Sequence, residues 1–501
     1  MGKLSDTPLP TFEAPARHPY AERVNHLQRN LTERAKRAVS STAPPRVDAG
    51  RRTDQADIDE ARARSALELS LRIGESLLAL GVPAADVTTN VLRVAAAYGL
   101  RCQVDTLYTS ISVSSARPDG PPLTGLRVVK ARLQDYTRLH AVSELAQEIT
   151  RGVSRAPDPD PDPDEPAPEP PVDVEEAHRR LDLIVGSSHP YRRSVVTLAL
   201  AGMAAAVGFL LGGGWAVALV AAVVTAAIDW LTRLLSSWGM PGFFQQVLGA
   251  ALSTGAAVVL VLLDVPIRTS LVVGSGIVVL LAGLSFVGAA EDAISGFYVT
   301  AAGRFFEVVT LTTGIVVGIA GVLDIATRMG VPMLVFGPGP ITAHVVIQFS
   351  AAAAIAGCFA IASYARPRAA LIAAGAGGLG WAASYAAIGL GSSWAVAAFV
   401  AATVVGFVGD AMHDRLHVPP LLVGVCGIVS LLPGLTIYDG MFAIVVEANI
   451  DRGLGRLVEA GAIALGLAAG VTLGEFLATP VRRSMDGFER AVRRHAMTVR
   501  G

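Results

Sequence analysis

The sequence predicts an α-helical polytopic membrane protein of about ten transmembrane helices, arranged as two inverted five-helix repeats and preceded by a small α+β cytoplasmic domain. Three observations carry that expectation. Hydrophobic residues make up 52% of the 501 and charged residues only 17%, which is far from the composition of an ordinary soluble chain. The apolar residues gather after Ser194, in runs close to the ~20 residues that a helix needs to cross ~30 Å of hydrocarbon. One charged and glycine-bearing motif then occurs twice within those runs.

The ten runs are 194–211, 215–231, 246–263, 270–289, 308–326, 341–364, 369–390, 393–409, 419–435 and 457–478. They lack the period-2 alternation of barrel strands, so a helical bundle satisfies their backbone groups in lipid. With ten spans, Arg192, Arg193, Arg233, Arg366, Arg368, Arg415, Arg482 and Arg483 all fall on one side. Arg268, Arg328 and Arg452 fall on the other. The arginine excess makes the first side cytoplasmic and places both termini there. Trp215, Trp230, Trp238 and Trp394 lie near span ends, as interface anchors do.

Ahead of the spans, 1–55 reads as a polar tail without an apolar h-region, and therefore without a signal peptide. Residues 56–152 read as a soluble α+β domain. Helical spacing runs through Ala66, Leu69, Ile73 and Leu77 to Gly81. A second helix fits 84–98, "RCQVDTLYTSISVSSA" reads as strand, "GLRVVKARL" as another, and 135–151 as a further helix. Residues 153–193 contain the Pro/Asp-rich spacer "APDPDPDPDEPAPEPPVDVEE" and a short amphipathic segment. The repeats occupy 194–328 and 341–479, joined through "GVPMLVFGPGP", and a basic cytoplasmic tail fills 480–501.

The duplicated motif is G-R-x-x-E-x6-G-x3-G. Gly303, Arg304, Glu307, Gly314 and Gly318 match Gly455, Arg456, Glu459, Gly466 and Gly470. Each copy opens the fifth span of its half, and a polar cluster precedes each: "EDAISG", which contains Asp292, and "IYDG". Five is odd, so the second repeat must have the opposite orientation to the first, an arrangement typical of secondary transporters. Arg and Glu at i, i+3 share a helix face and can pair, which lowers the cost of burying them. A desolvated glutamate could exchange protons at usable pH. The Gly-x3-Gly step lets a neighbouring helix approach closely. The alternative is an interfacial ion pair that merely ends a helix.

Further pathway candidates are Tyr438 and Asp439, beside a helix break expected at Pro433-Gly434, and Asn449 in the same external cluster. Asp229 and Asp410 sit at cytoplasmic span ends, where solvated loop residues are the competing reading. His344 and Gln348 favour packing over a proton relay. The i, i+4 histidines of "HDRLH" lack a third local ligand, so no metal is expected. Cys102, Cys358 and Cys426 show neither metal nor redox spacing. No phosphate loop, HExxH or GxSxG is present, so no cofactor and no catalytic residues are expected. A net charge of −1 gives no sign of a nucleic-acid partner.

Taken together, "RIGESLLALG", "AAAYGL", "ISVSSA" and "PGLTIYDGM", within a soluble front and two five-span repeats, resemble the bacterial threonine/serine exporter family in its single-chain form. The resemblance covers about 57–480. It implies export of L-threonine and L-serine across the cytoplasmic membrane, driven by the proton-motive force, with amino acid, protons and the bilayer as partners. Homo-oligomerisation stays open. Competing classes are a membrane-embedded enzyme, a regulated scaffold and a passive channel.

Overall fold

The computed structural model describes residues 60–117, 121–129, 134–151, 171–265, 268–281, 283–331, 344–412 and 418–498, with side chains to Ala478. The N-terminal tail, most of the Pro/Asp spacer, the connector at 332–343 and the "HDRLH" segment lie outside them. All described residues belong to one compact unit.

The N-terminal part is an α+β layer. Helix α1 (Glu60–Ala79) buries Ala66, Leu69, Ile73 and Leu77 on one stripe, and the chain turns at Gly81 with φ 89°. Helix α2 (Ala84–Ala97) buries Val87, Val91 and Val94, and the chain turns again at Gly99 with φ 79°. Both turns use the left-handed region that glycine enters without steric cost. Strands β1 (Cys102–Thr106), β2 (Ser110–Ser115) and β3 (Leu123–Val128) pair antiparallel in that order. Val104 stands opposite Val113, and Ser112 opposite Leu126. In β2 the side chains alternate, with Ile111 and Val113 turned inward. Helices α3 (Tyr136–Thr150) and α4 (Val174–Gly186) complete the layer. Asp135 caps α3 by accepting from the Arg138 N–H at 3.0 Å.

The helical bundle follows in two matched halves. The first has α5 (Arg193–Leu210), α6 (Trp215–Ser237) and α7 (Gly242–Leu262). Next comes the interrupted pair α8 (Thr269–Ile277) and α9 (Gly283–Ile294), and then α10 (Tyr298–Arg328). The second has α11 (Val345–Ala362), α12 (Pro367–Gly389) and α13 (Trp394–Ala411). It ends with the interrupted pair α14 (Pro420–Ile428) and α15 (Gly434–Val445), and with α16 (Ile450–Thr498). First and second helices have equal lengths in the two halves, 18 and 23 residues. Each interrupted pair has a 9-residue helix, a 3-residue 3₁₀ turn and a 12-residue helix, in that order. Both pairs bend by more than 40° at the interruption. Eight helices are long and apolar enough to cross a membrane, or ten if each bent pair is one span. Trp215, Trp230, Trp238 and Trp394 are all exposed, as are Leu198, Leu371 and Leu390, whereas Trp381 is buried. That outward apolar surface suits lipid.

The repeated glycines set the packing inside each half. A Cβ on Gly314 would lie 2.9 Å from the Phe243 carbonyl oxygen, and one on Gly318 only 2.2 Å from that of Val247. Gly466 and Gly470 approach the Ala395 and Phe399 carbonyl oxygens of α13 in the same way, at 2.6 and 2.5 Å. The fifth span of each half thus lies directly on the backbone of the third. Between halves the second pieces of the interrupted helices are exchanged. Phe442 of α15 enters the apolar cluster of α6, α7 and α8, and Val287 of α9 enters that of α13 and α16.

Replacing Gly318 or Gly470 by alanine is expected to cost more than the ~1–3 kcal/mol typical of overpacking, because backbone is what must move. Gly321, with open space around it, serves as the control. Thermal unfolding in detergent checks this: both variants should melt below the parent, and Gly321→Ala should not.

Candidate functional site

The two interruptions touch. A Cβ on Gly283 would lie 3.1 Å from the Leu432 Cβ and 3.4 Å from the Gly434 nitrogen, and one on Gly434 would lie 3.0 Å from the Leu281 Cβ. Leu281 and Leu432 are both extended, at φ/ψ −72°/130° and −59°/135°. Backbone groups at the ends of two 3₁₀ turns and the starts of two helices therefore converge between the halves. Among the described residues, nearby hydroxyls are left unbonded: Tyr438 on α15 and Ser430 in the 3₁₀ turn before it have buried oxygens with no partner. Ser253 of α7, against Gly276 of α8, is another. Unpaired buried hydroxyls are costly in an apolar interior unless something binds them. Proline-glycine marked the second interruption in the sequence. The first has no proline and went unmarked.

Around this crossing the ionisable residues cluster at each end of the bundle. At the end carrying the N-terminal layer, Arg304 pairs with Asp292 through Nε and Oδ2 at 3.0 Å, with side chains 6% and 0% exposed. This corrects the expected Arg304–Glu307 pair. Gly288 provides the reason: a Cβ there would lie 2.4 Å from Arg304 Nη1, so the missing side chain lets the guanidinium turn onto α9. Asp292 also accepts the N–H of Ala84 at 3.0 Å and so receives the N-terminus of α2. Glu307 accepts from the Tyr108 hydroxyl at 2.5 Å. Glu291 lies within electrostatic range of Asp292, Arg304, Glu475 and Asp86. Glu291, Glu475, Asp86 and Tyr108 were not legible as site residues, because no local pattern joins them.

Asp229 and Asp410 also differ from the expected solvated loop residues, at 5% and 9% exposed. Asp229 accepts from Thr197 Oγ1 at 2.6 Å and pairs with Arg233 at 2.9 Å and Arg193 at 3.3 Å. These partners compensate its burial. They tie the start of α5 to the end of α6.

At the opposite end, Arg456 does pair with Glu459, at 2.9 Å, and also with Asp439, at 3.1 Å. Arg452 bridges Glu447 at 2.6 Å. Both arginines are nearly half exposed. Asn449 is a cap: its Oδ1 accepts from the Arg452 N–H at 3.0 Å as α16 begins. His344 likewise caps α11. The two halves thus each hold an arginine of the last helix against an aspartate of the preceding half-helix, one pair buried and one accessible. Among the described residues no group of three His, Cys, Asp or Glu is arranged to hold a metal. Burial pushes the Cys102 thiol up to about 11, so it stays protonated at neutral pH.

Two sets of matched helices, each with an interrupted member, meeting at the interruptions, describe a polytopic membrane protein built like a transporter. The comparisons make the assignment specific. A family model described as "Putative threonine/serine exporter" matches residues 68–158 and 167–326, and one described as "Threonine/Serine exporter, ThrE" matches 347–477. A "Probable threonine/serine exporter" of Mycobacterium tuberculosis (strain ATCC 25618 / H37Rv) is 38% identical over 465 residues, 89% of this chain and 82% of that protein. A "Threonine/serine exporter" of Corynebacterium glutamicum is 34% identical over 438 residues, 85% of each. The chain belongs to the ThrE threonine/serine exporter family. No solved structure matches it.

Removing either partner of the buried pair, by Asp292→Ala or Arg304→Ala, is expected to cost roughly 3–5 kcal/mol, since an uncompensated charge remains. The double variant Asp292→Leu/Arg304→Met should recover much of that stability. Denaturation of the three purified proteins in one detergent measures the coupling.

Proposed function

We propose that this protein is a secondary active exporter of L-threonine and L-serine, coupled to the proton-motive force and working by alternating access in a bacterial cytoplasmic membrane. The observation that carries the reading is the meeting of two interrupted helices at their interruptions, in a chain whose relatives are named threonine/serine exporters. Equal helix lengths and repeated glycine contacts support two five-span repeats. The odd span number makes them inverted. The end with the N-terminal layer is then cytoplasmic, together with both termini.

The amino acid binds at the crossing. A zwitterion needs positive and negative partners side by side. The helix starts at Gly283 and Gly434 offer free N–H groups to its carboxylate, and the 3₁₀ ends offer carbonyls to its ammonium. Tyr438 and Ser430 hold hydroxyls near the interruption of α14 and α15, available to the substrate's own hydroxyl. Protons use the carboxylates at the ends of the pathway: Glu307, Asp292, Asp229 and Asp410 inside, Glu459 and Asp439 outside. Arg304 and Arg456 hold those acids in place. The N-terminal part is a cytoplasmic domain. The transport reading leaves no catalytic step for the protein to perform.

Efflux of labelled threonine and serine from proteoliposomes under an imposed pH gradient tests the reading. The parent should move both amino acids faster with the gradient, and Glu307→Gln/Glu459→Gln should lose that acceleration while retaining exchange. Folded parent protein that moves neither amino acid overturns the cargo, and full coupling in the double variant removes the glutamates from the proton path. Tyr438→Phe, which loses a single hydrogen bond, is expected to raise KM about 3- to 10-fold with little change in unfolding temperature.

A further inference from the structure

We propose that the N-terminal α+β layer is the cytoplasmic gate of the exporter, fixed permanently to the second half of the bundle and latched releasably to the first through Tyr108, Asp292 and Glu307. The proposal rests on the transport reading but not on which amino acid is carried.

The layer touches both halves, and the two seams differ in kind. On the second half the seam is apolar. Tyr136, Leu139, Val142 and Leu145 of α3 belong to one cluster with Ala365 and Ala369 at the start of α12 and Leu422 and Cys426 of α14. The corner between α11 and α12 is fastened further by its own backbone. Tyr364 is left-handed at φ 60°, which turns three successive carbonyls toward the layer. Ser363 accepts from the Tyr136 N–H, Tyr364 from Thr137 Oγ1 and Ala365 from the Tyr191 hydroxyl, at 2.9, 2.5 and 2.9 Å. His189 stacks on the Tyr364 ring at 4.2 Å and bonds Asp135 at 2.8 Å. Neutral backbone bonds over a shared core form a fixture.

Of the first half, α5 joins that cluster through Met203, Ala206, Val207 and Leu210, whereas no residue of α9 or α10 does. The layer's described contacts with α9 and α10 are polar. Ala84 N–H donates to Asp292, Thr300 Oγ1 donates to the Thr106 carbonyl at 3.2 Å, and the Tyr108 hydroxyl donates to Glu307. The Tyr108 ring lies over Gly303, whose missing side chain makes the seat, a Cβ there falling 3.0 Å from the ring. Acidic side chains face one another across this seam. Asp86 on α2 lies within electrostatic range of Asp292, Glu291 and Glu475, with Arg93 near Asp86 and Arg304 near Glu291. Water can replace these polar contacts as the seam parts.

Two halves that rock against each other cannot both keep hold of one rigid layer. The polar seam is the one that yields. When it parts, the layer travels with the second half and uncovers the buried Asp292–Arg304 pair at the cytoplasmic mouth. When it closes, the pair is capped and the opposite end alone is accessible.

The Gly303 Cβ position lies 3.1 Å from the Tyr108 Cβ, close enough for a disulfide after a small shift. In a background with Cys102, Cys358 and Cys426 replaced by alanine, Tyr108→Cys/Gly303→Cys is expected to cross-link on oxidation. Intact mass after alkylation reads this without reference to any cargo. Efflux from the cross-linked protein should fall at least tenfold and return with reductant. Failure to cross-link overturns the docked arrangement, and cross-linked protein that exports at the reduced rate overturns the gate. Tyr108→Phe keeps the ring and loses the bond to Glu307. It should speed exchange severalfold, an effect loss of folding cannot mimic, and a rate at or below the parent counts against the latch. Protein that moves neither threonine nor serine when reduced, yet cross-links fully, separates a wrong cargo from a wrong gate.

Discussion

A helix in lipid must satisfy its own backbone, and interrupting one is tolerated only where other protein surrounds the break. This protein interrupts two and lays the breaks against each other. Gly283 and Gly434 have no side chains to keep the strands apart, so each break shields the other from hydrocarbon. The rest of the bundle follows from holding that contact. The exchanged half-helices α9 and α15 anchor it from both sides. The fifth span of each half, lying on the third at the repeated glycines, supplies a stiff frame around it. The contact thus gathers peptide donors and acceptors between two stiff frames without any dedicated charged side chain.

The halves share a framework but differ in their charges. Both set an arginine near the start of the fifth span against an aspartate of the preceding half-helix. In the first half the pair is sealed beneath the N-terminal layer, and in the second it is spread over Asp439, Glu447 and Glu459 and reaches solvent. The two ends are thus of one kind, and one of them lies beneath the N-terminal layer. Directionality in such a molecule need not come from the substrate site. It can come from the unequal cost of exposing the two ends.

Much of the framework was legible in sequence. The apolar runs that became helices and the paired glycines that meet a neighbouring backbone depend on local or periodic features. The G-x3-G steps needed no tertiary knowledge, since only a close neighbour explains two glycines on one helical face. The site was less legible. Arg304 selects Asp292, not the glutamate one turn away, because Gly288 is absent as an obstacle, and nothing near Arg304 in the chain records that. Asp229 reads as a loop acid until Arg193 and Thr197 arrive from another helix. Tyr108 sits in a hairpin turn whose importance lies wholly in what it covers. Pairings between distant segments are where local pattern stops informing.

The apolar cluster that joins α3 to α12 and α14 has a consequence for how the protein is made. The layer is synthesised before any span, while α12 and α14, which complete its cluster, come from the second half. Until they arrive, Tyr136, Leu139 and their neighbours lack that part of their packing. The layer is therefore a late-maturing element despite its early synthesis.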